Sequence, residues 1–519
     1  MVSDDERISA LIEAVLQELK TDRQTERAGT TMRGEMRREQ TSDSGRSREP
    51  GSSITQKRWI ERPVGSSSVS SEYRGVKRAT SAFKDADSAA HAASRAQQAL
   101  VSATLELRKK IIEAMREVSI RNALLVSRMA VKETGLGRVE DKVKKNLLVA
   151  QKTPGVEDLN PTSWSGDRGL TLTEWAPYGV IASITPSTNP SETAINNAIG
   201  MIAAGNSVVF CPHPSAKETT LATIELLNDA ICSVSGIDNL LVSFEEPSIE
   251  LAQNLMKHKG IDLLVVTGGP AVVKAAMNCG KKVIAAGPGN PPVVVDETAD
   301  IEKAGKDIFD GASLDNNIVC ISEKEIIAVD AISGELKRAM EKAGAIELDG
   351  GLASKLVSLL IKENRGPARP CVTDRNFVGK SVATILGEVG ERISEDTRLA
   401  FVEVAWDHPF VWTEMLMPII PLVRVRSAQE AIELAKKVEQ DLGHTAAIHS
   451  KNIERLSYMA RLMDVSIFVK NGPSFAGLGL GGEGYTSFTI ASPTGEGLTS
   501  ARHFSRMRRC VLVDYFRIV

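Results

Sequence analysis

Cys320 follows a polar turn, in Asp315-Asn316-Asn317-Ile318-Val319-Cys320-Ile321-Ser322. A thiol so placed can act as a nucleophile. A free cysteine is only a few per cent ionised near neutral pH, so an electropositive or helix-terminal setting has to assist it. The competing reading is a small buried hydrophobe, and Cys211, Cys232, Cys279, Cys371 and Cys510 are read that way. Asn189 stands in Ile184-Thr185-Pro186-Ser187-Thr188-Asn189-Pro190, where a strand ends and a helix begins. Its amide can donate to a developing oxyanion, but Asn is also a preferred N-cap, and taken alone the motif favours the cap. Thr267-Gly268-Gly269-Pro270 lies between an apolar strand and a helix. Its small residues let a phosphate approach the helix start, although the GxGxxG fingerprint is absent and a plain tight turn explains it equally well. Glu414, before the apolar turn Met415-Leu416-Met417-Pro418, can hold a ribose hydroxyl or be solvated. His213, in Cys211-Pro212-His213-Pro214-Ser215, follows a strand and can meet a ribose or phosphate.

Positioning these residues takes an alternating series of elements. Val180–Ile184, Ser207–Phe210, Leu240–Phe244 and Ile261–Val266 are short apolar runs with the length of buried strands. Glu192–Ala203, Lys217–Cys232, Ile249–His258 and a segment from Pro270 carry helical patterns between and after them. Repeated β-α units form an open parallel sheet with helices on both faces, and ligands bind beyond the carboxyl ends of its strands. Upstream, Ala79 to Met129 reads as Ala-rich helices, clearest at Ala89–Leu100 and Leu105–Val118. A second α/β series starts near Lys282, with Ala285-Ala286-Gly287-Pro288-Gly289-Asn290 as a Gly/Pro loop before a strand at Val293–Val295. A helix at Ser427–Lys437 and a strand at Val465–Val469 follow later.

Residues 1–20 differ from the rest. Ile8, Leu11, Ile12, Val15, Leu16 and Leu19 fall on one helical face, and Ser3 with Glu6 reads as a capping box. The polar stretch that follows is rich in Arg, Ser, Thr, Gly and Glu and cannot bury enough apolar surface to offset its ordering entropy. It reads as a disordered linker, so the helix is tethered to bind something away from the body; the alternative is an ordinary first helix of the domain. Acidic residues on its polar face, among them Asp4, Asp5, Glu6, Glu13 and Glu18, argue against an anionic membrane.

A chain of 519 residues calls for two or three domains. With 63 basic and 66 acidic side chains it has no basic footprint for nucleic acid. The six cysteines form no CxxC pair, which argues against a zinc site and suits a reducing cytosolic compartment. No membrane-length apolar run is present.

In order, the segments Ile184–Pro190, Val208–Lys217, Thr267–Pro270, Ala285–Pro292, Asn316–Ser322 and Asn471–Gly484 resemble the aldehyde dehydrogenase superfamily. Within it, the chain is similar to the coenzyme A-acylating propionaldehyde and acetaldehyde dehydrogenases of bacterial microcompartments. The resemblance implies an α/β fold with a Rossmann-type cofactor domain at 75–281 and an α/β catalytic domain at 282–475. It further implies a carboxyl-terminal return and oligomerisation segment at 476–519. Residues 1–20 resemble an encapsulation peptide, with 21–74 as its linker. Cys320 becomes the nucleophile, and Asn189 with the Cys320 backbone N–H the oxyanion donors. Thr185, Pro186, His213, Thr267, Gly268, Gly269, Gly287, Pro288, Gly289 and Glu414 become cofactor contacts, with no metal. His213 stands where many members have Lys. Water-using members carry a general-base Glu where this chain has Ala285; such a base contributes about 10²–10⁴-fold. Its absence fits transfer to a thiol, a stronger nucleophile than water. The implied reaction takes a short aldehyde, NAD (NADP as second option) and coenzyme A to an acyl-coenzyme A. The implied setting is a microcompartment lumen, with a shell protein as partner of residues 1–20 and a homodimer or homotetramer as assembly. The alternatives are a hydrolytic dehydrogenase and a catalytically decayed scaffold.

Overall fold

The computed structural model describes residues 81–519, together with Ala10, Ile12, Glu13, Ala14 and Gln17. The chain divides into a large unit, Met1–Ile12 with Thr80–Val519, and a small one, Glu13–Ala79. The expected linker at 21–74 and most of the expected helix at 1–20 lie outside the described residues. The five described near the amino terminus are helical, and Ile12 packs, partly buried, against the core of the large unit.

β1 (Ala82–Phe83) is followed by four helices, α1 (Ala86–Val101), α2 (Leu105–Arg121), α3 (Ala123–Thr134) and α4 (Val139–Lys152). Side chains that take free N–H groups set their starts: Asp85 accepts from Ser88 at 2.8 Å and Thr104 from Leu107 at 3.2 Å. The hairpin β2–β3 (Thr162–Gly166, Gly169–Pro177) then leads into β4 (Val180–Thr185), α5 (Pro190–Ala203), β5 (Ser207–Pro212) and α6 (Lys217–Ser235). After these come β6 (Leu241–Phe244), α7 (Ile249–Lys257), β7 (Leu263–Thr267), α8 (Pro270–Met277) and β8 (Val283–Ala286). The first sheet is parallel throughout, in the order β1-β6-β5-β4-β7-β8. From β4 the chain builds one way through β5 and β6, then returns to the other side of β4 for β7 and β8. The direction reverses between β4 and β7, and that crevice is where open α/β sheets receive ligands. Every residue of β4, β5 and β6 is buried, as expected of strands covered on both faces.

β9 (Pro292–Val295), α9 (Ile301–Ser313), β10 (Glu325–Val329), α10 (Asp330–Ala343) and β11 (Ile346–Leu348) begin the second half. A small antiparallel hairpin β12–β13 (Ile361–Glu363, Val372–Thr373) and then β14 (Ala400–Glu403), β15 (Ile419–Val425), β16 (Thr445–His449) and β17 (Ile467–Lys470) complete it. The second sheet is also parallel, in the order β11-β14-β15-β10-β9-β16-β17. Sequence grouping at 281/282 puts Val283–Ala286 with this half. The strand pairs instead with β7, from Leu264↔Val283 to Thr267↔Ala286. The physical reason is that the Gly/Pro loop follows this strand, so the crossing between sheets occurs at residues 287–291.

Two short strands, β18 (Ile490–Ala491) and β19 (Gly497–Leu498), precede β20 (Ser505–Val513). β20 runs antiparallel to β3 and makes a three-stranded sheet with the β2–β3 hairpin. Arg506–Val519 is exposed throughout, including Met507, Val511, Val513, Tyr515 and Phe516.

Candidate active site

The loop between α9 and β10 carries Cys320. Asp315, Asn316 and Asn317 have φ of 50°, 55° and 64°, three successive left-handed residues of the types that tolerate this conformation best among those with a Cβ. Side chains and backbone from distant segments pin the turn. Asp315 Oδ1 accepts the Arg138 N–H at 2.6 Å, and Asn316 Nδ2 donates to Gly379 O at 2.9 Å. Asn317 Nδ2 donates to Ala312 O and Glu323 O at 2.8 and 2.9 Å. From Gly311 to Val329 every residue is buried except Cys320, which is half-buried. One thiol showing through a buried run is what a nucleophile requires. Cys211, by contrast, is buried in the first sheet.

Around the thiol lie Lys324, Glu414, Gly289 and His444. Lys324 Nζ donates to Asn317 Oδ1, Asn317 O and Val319 O at 2.7, 2.9 and 3.0 Å, and burial draws its pKa down to about 8. Glu414 Oε1 accepts the Gly289 N–H at 3.1 Å, and burial raises its carboxyl above the ordinary range. A Cβ at Gly289 would lie 2.8 Å from His444 Cγ and 3.0 Å from Cys320 O, so only glycine lets the chain pass here. Burial and then Lys324 hold His444 down to about 4; the ring is neutral, with Nδ1 2.9 Å from Thr445 Oγ1 and Nε2 unpartnered among the described residues. Burial, then Glu414, push the Cys320 thiol up to about 12, against the pull of Lys324, its own N–H and Lys145. The expected cationic help is therefore present, but burial outweighs it in the free protein.

Asn189 begins α5 with φ −136° and its side chain makes no cap hydrogen bond. The capping alternative falls. Its Oδ1 instead accepts from Lys145 Nζ at 2.5 Å. Lys145 also pairs with Asp315 and Glu192, and Lys142 Nζ reaches Thr188 O at 2.8 Å and Asp315 Oδ2 at 3.0 Å. The loop after β4 and the loop before β10 are thus joined through α4. Lys142, Lys145, Asp315, Lys324 and His444 were not singled out in the sequence. Only the three-residue spacing of the two lysines, which puts them on one helix face, hints at a shared task.

Most of the cofactor candidates lie along the carboxyl edge of the first sheet; Gly289 and Glu414 lie beside Cys320 instead. Thr185 ends β4 opposite Pro212 of β5, buried, with its Oγ1 unpartnered among the described residues. Across the switch crevice, Thr267 Oγ1 lies 3.2 Å from Thr489 Oγ1, and the Gly268 N–H donates to Ala286 O at 3.3 Å. Gly269 precedes α8, and a Cβ there would meet nothing within 4 Å. An orphaned hydroxyl beside an open helix start fits a dinucleotide's ribose and phosphates. Pro186, Gly287 and Pro288 are half-buried along the same edge. His213 is exposed and occupied locally: its Nδ1 accepts the Ser215 N–H at 3.2 Å, capping the turn Pro214–Ala216.

Ala285 is fully buried in β8, and its N–H donates to Thr494 Oγ1 at 3.0 Å.

A family model described as the aldehyde dehydrogenase family matches residues 64–488. The chain belongs to the aldehyde dehydrogenase family. The acetaldehyde dehydrogenase (acetylating) EutE of Salmonella typhimurium is 53% identical over 440 residues, covering 84% of this chain and 93% of the relative. The propionaldehyde dehydrogenase of Rhodopseudomonas palustris, solved with bound CoA and an acylated cysteine, superposes with a TM-score of 0.81 at 48% identity, over 84% of this chain and 98% of that one. A propionaldehyde dehydrogenase from the Clostridium phytofermentans fucose utilisation bacterial microcompartment superposes at 0.82 with 46% identity, over 85% and 100%. The resemblance read from the sequence holds for family and fold. In this aldehyde dehydrogenase Cys320 stands on the amino edge of the second sheet, where the loops entering β9, β10, β15 and β16 meet.

Proposed function

We propose that this aldehyde dehydrogenase oxidises a short-chain aldehyde, propionaldehyde ahead of acetaldehyde, and hands the acyl group to coenzyme A. The observation that carries this reading is Cys320, the one residue of Gly311–Val329 that is not buried, in a chain with Ala285 where hydrolysis would need a base. The Cys320 thiol releases its proton to solvent and its Sγ bonds to the aldehyde carbon. The resulting oxyanion accepts from Asn189 Nδ2 and the Cys320 N–H; one such donor is worth roughly 3–4 kcal/mol. A nicotinamide nucleotide, NAD with NADP as second option, would be held by Thr185, Pro186, Thr267, Gly268, Gly269, Gly287, Pro288 and Glu414 and would supply the hydride acceptor. His213, occupied by Ser215, contributes least. Cys320 is left as a thioester, the coenzyme A thiol takes the acyl group, and the Cys320 thiol returns. A neutral His444 near Cys320 is suited to accept the incoming thiol's proton.

Product analysis with and without coenzyme A tests this. The expected product is acyl-coenzyme A, formed in proportion to reduced cofactor, and Cys320→Ala abolishes it with the fold intact. Free acid as main product supports the hydrolytic alternative; a wild-type protein that reduces no cofactor supports the decayed scaffold.

The microcompartment origin of a relative supports a place in a microcompartment lumen, with residues 1–20 binding a shell protein and 21–74 as linker. Deleting residues 1–20 should leave turnover intact and abolish co-sedimentation with shells. The exposed apolar side chains of β20 and the tail beyond it support a homodimer or homotetramer joined through this sheet. Segments 75–281, 282–475 and 476–519 serve as cofactor, catalytic and assembly regions, the first gaining β8.

A further inference from the structure

Three acceptors meet on one ammonium inside the large unit. Lys145 Nζ lies 2.5 Å from Asn189 Oδ1, 2.5 Å from Asp315 Oδ2 and 3.0 Å from Glu192 Oε1. Side-chain exposure is 2% for Lys145 and 0% for Asp315 and Glu192, and Asn189 is buried. An ammonium has three N–H donors and no acceptor; two are hydrogen-bonded, to Asn189 and Asp315, and Glu192 completes the site as an ion pair.

For Asn189 the consequence is directional. The two ends of a carboxamide have nearly the same shape, and only the partners decide which way it faces. A lysine can only donate. It therefore binds Oδ1 and turns Nδ2 to the opposite side, where one N–H reaches Thr188 Oγ1 at 3.2 Å and the other remains for an oxyanion. For the nucleophile loop the consequence is spatial. Asp315 is the first of the three left-handed residues ahead of Cys320, and its carboxylate is held by the same nitrogen that holds the amide. Lys142 joins the same two loops again, through Thr188 O and Asp315 Oδ2. Burial works against the Lys145 charge, but Asp315 and Glu192 outweigh it and keep its pKa above the ordinary lysine range.

We infer that Lys145 is a positioning residue for the reaction: one buried ammonium fixes the facing of the Asn189 amide and its separation from the Cys320 loop, so that the two oxyanion donors converge. This rests on the reading of Cys320 as nucleophile and Asn189 as donor. Lys145 itself touches no substrate. Its spacing from Asn189 and Asp315 is set by a rigid element, α4, rather than by either loop, which is how a donor pair is kept within about half an ångström of productive geometry.

The test uses the full-length enzyme with Asn189→Ala, Lys145→Met and the double variant. Each single substitution is expected to lower kcat for aldehyde oxidation by about 10²–10³-fold, with the cofactor KM held within about twofold. The double variant should fall within about threefold of the slower single one, because residues that act as a unit do not multiply. Losses that multiply in the double variant would overturn the inference. Lys145→Met leaves Glu192 buried without its cation, so Lys145→Met with Glu192→Gln is the companion. It should recover the thermal midpoint while kcat stays low; recovery of kcat together with stability would make Lys145 merely structural and end the proposal. Wild-type turnover in Asn189→Ala would remove the donor reading itself, and the proposal with it, an outcome distinct from additivity.

Discussion

At the carboxyl edge of the first sheet, Thr185, Thr267, Gly268 and Gly269 present an orphaned hydroxyl, backbone and empty space. At the amino edge of the second, Cys320 rests on buried charge that runs from Arg398 and Asp141 through Asp315 to Lys142 and Lys145. The difference follows from the tasks. On the proposed reading a nucleotide must enter and leave in every turnover, and Thr185 Oγ1 and the start of α8 stand open for it. On the same reading a nucleophile and its oxyanion donors must not move relative to one another, and buried ion pairs and hydrogen bonds pin their two loops together. Flexible reception and fixed chemistry are allotted to opposite ends of two parallel sheets.

The largest effect should come from breaking the fixed side. Asp315→Asn leaves two buried ammonium groups short of a counter-charge and should cost about 3–5 kcal/mol of stability, read by chemical denaturation; a loss under about 1 kcal/mol would mean that the network is not what holds the loop. The next concerns the thiol. With its pKa pushed up to about 12, the thiolate fraction of Cys320 in the free enzyme rises roughly tenfold per pH unit, so alkylation should quicken about a hundredfold between pH 8 and pH 10. A plateau near pH 9, the behaviour of an ordinary thiol, would contradict the burial argument. On the receptive side, Gly269→Val narrows the approach to α8 and should raise the cofactor KM by about tenfold with kcat nearly unchanged, a change of about 1.4 kcal/mol. An equal fall in kcat would show that this edge, too, is part of the fixed machinery. The smallest expected effect is that of Ala285→Glu, which should raise the ratio of free acid to thioester by a few-fold, well short of the roughly 10²–10⁴ a positioned base gives, because the site is fully buried. An unchanged ratio would detach position 285 from the choice of acceptor.

The receptive edge was legible because its signals are local. Val180–Ile184 reads as a strand from its apolar run, and β4 spans Val180–Thr185; Thr267-Gly268-Gly269 reads as a strand-to-helix turn because small residues and Pro270 mark one. The fixed edge was legible only at its tip. Cys320 and Asn189 stood out as residue types, but the Lys142–Asp315 and Lys145–Asp315 contacts span 173 and 170 positions. In sequence, Glu140-Asp141-Lys142-Val143-Lys144-Lys145-Asn146 looks like a solvated helix face. It is buried because its counter-charges arrive from another part of the chain. Asn189 read alone favoured a cap, since nothing nearby announces the lysine that claims its oxygen. The strand at Val283 was grouped with the wrong sheet because a short apolar run says nothing about its neighbour.

Residues 287–291 are the sole covalent span between the end of β8 and the start of β9. They include Pro288 and Pro291, and Pro292 opens the next strand. A bridge this short and this stiff acts as a ruler. One added residue would shift hydride acceptor and sulfur against each other by up to about 3.3 Å, several times the tolerance of a reactive alignment. On the proposed reading, the chain's count of residues at this crossing is itself part of the catalytic apparatus.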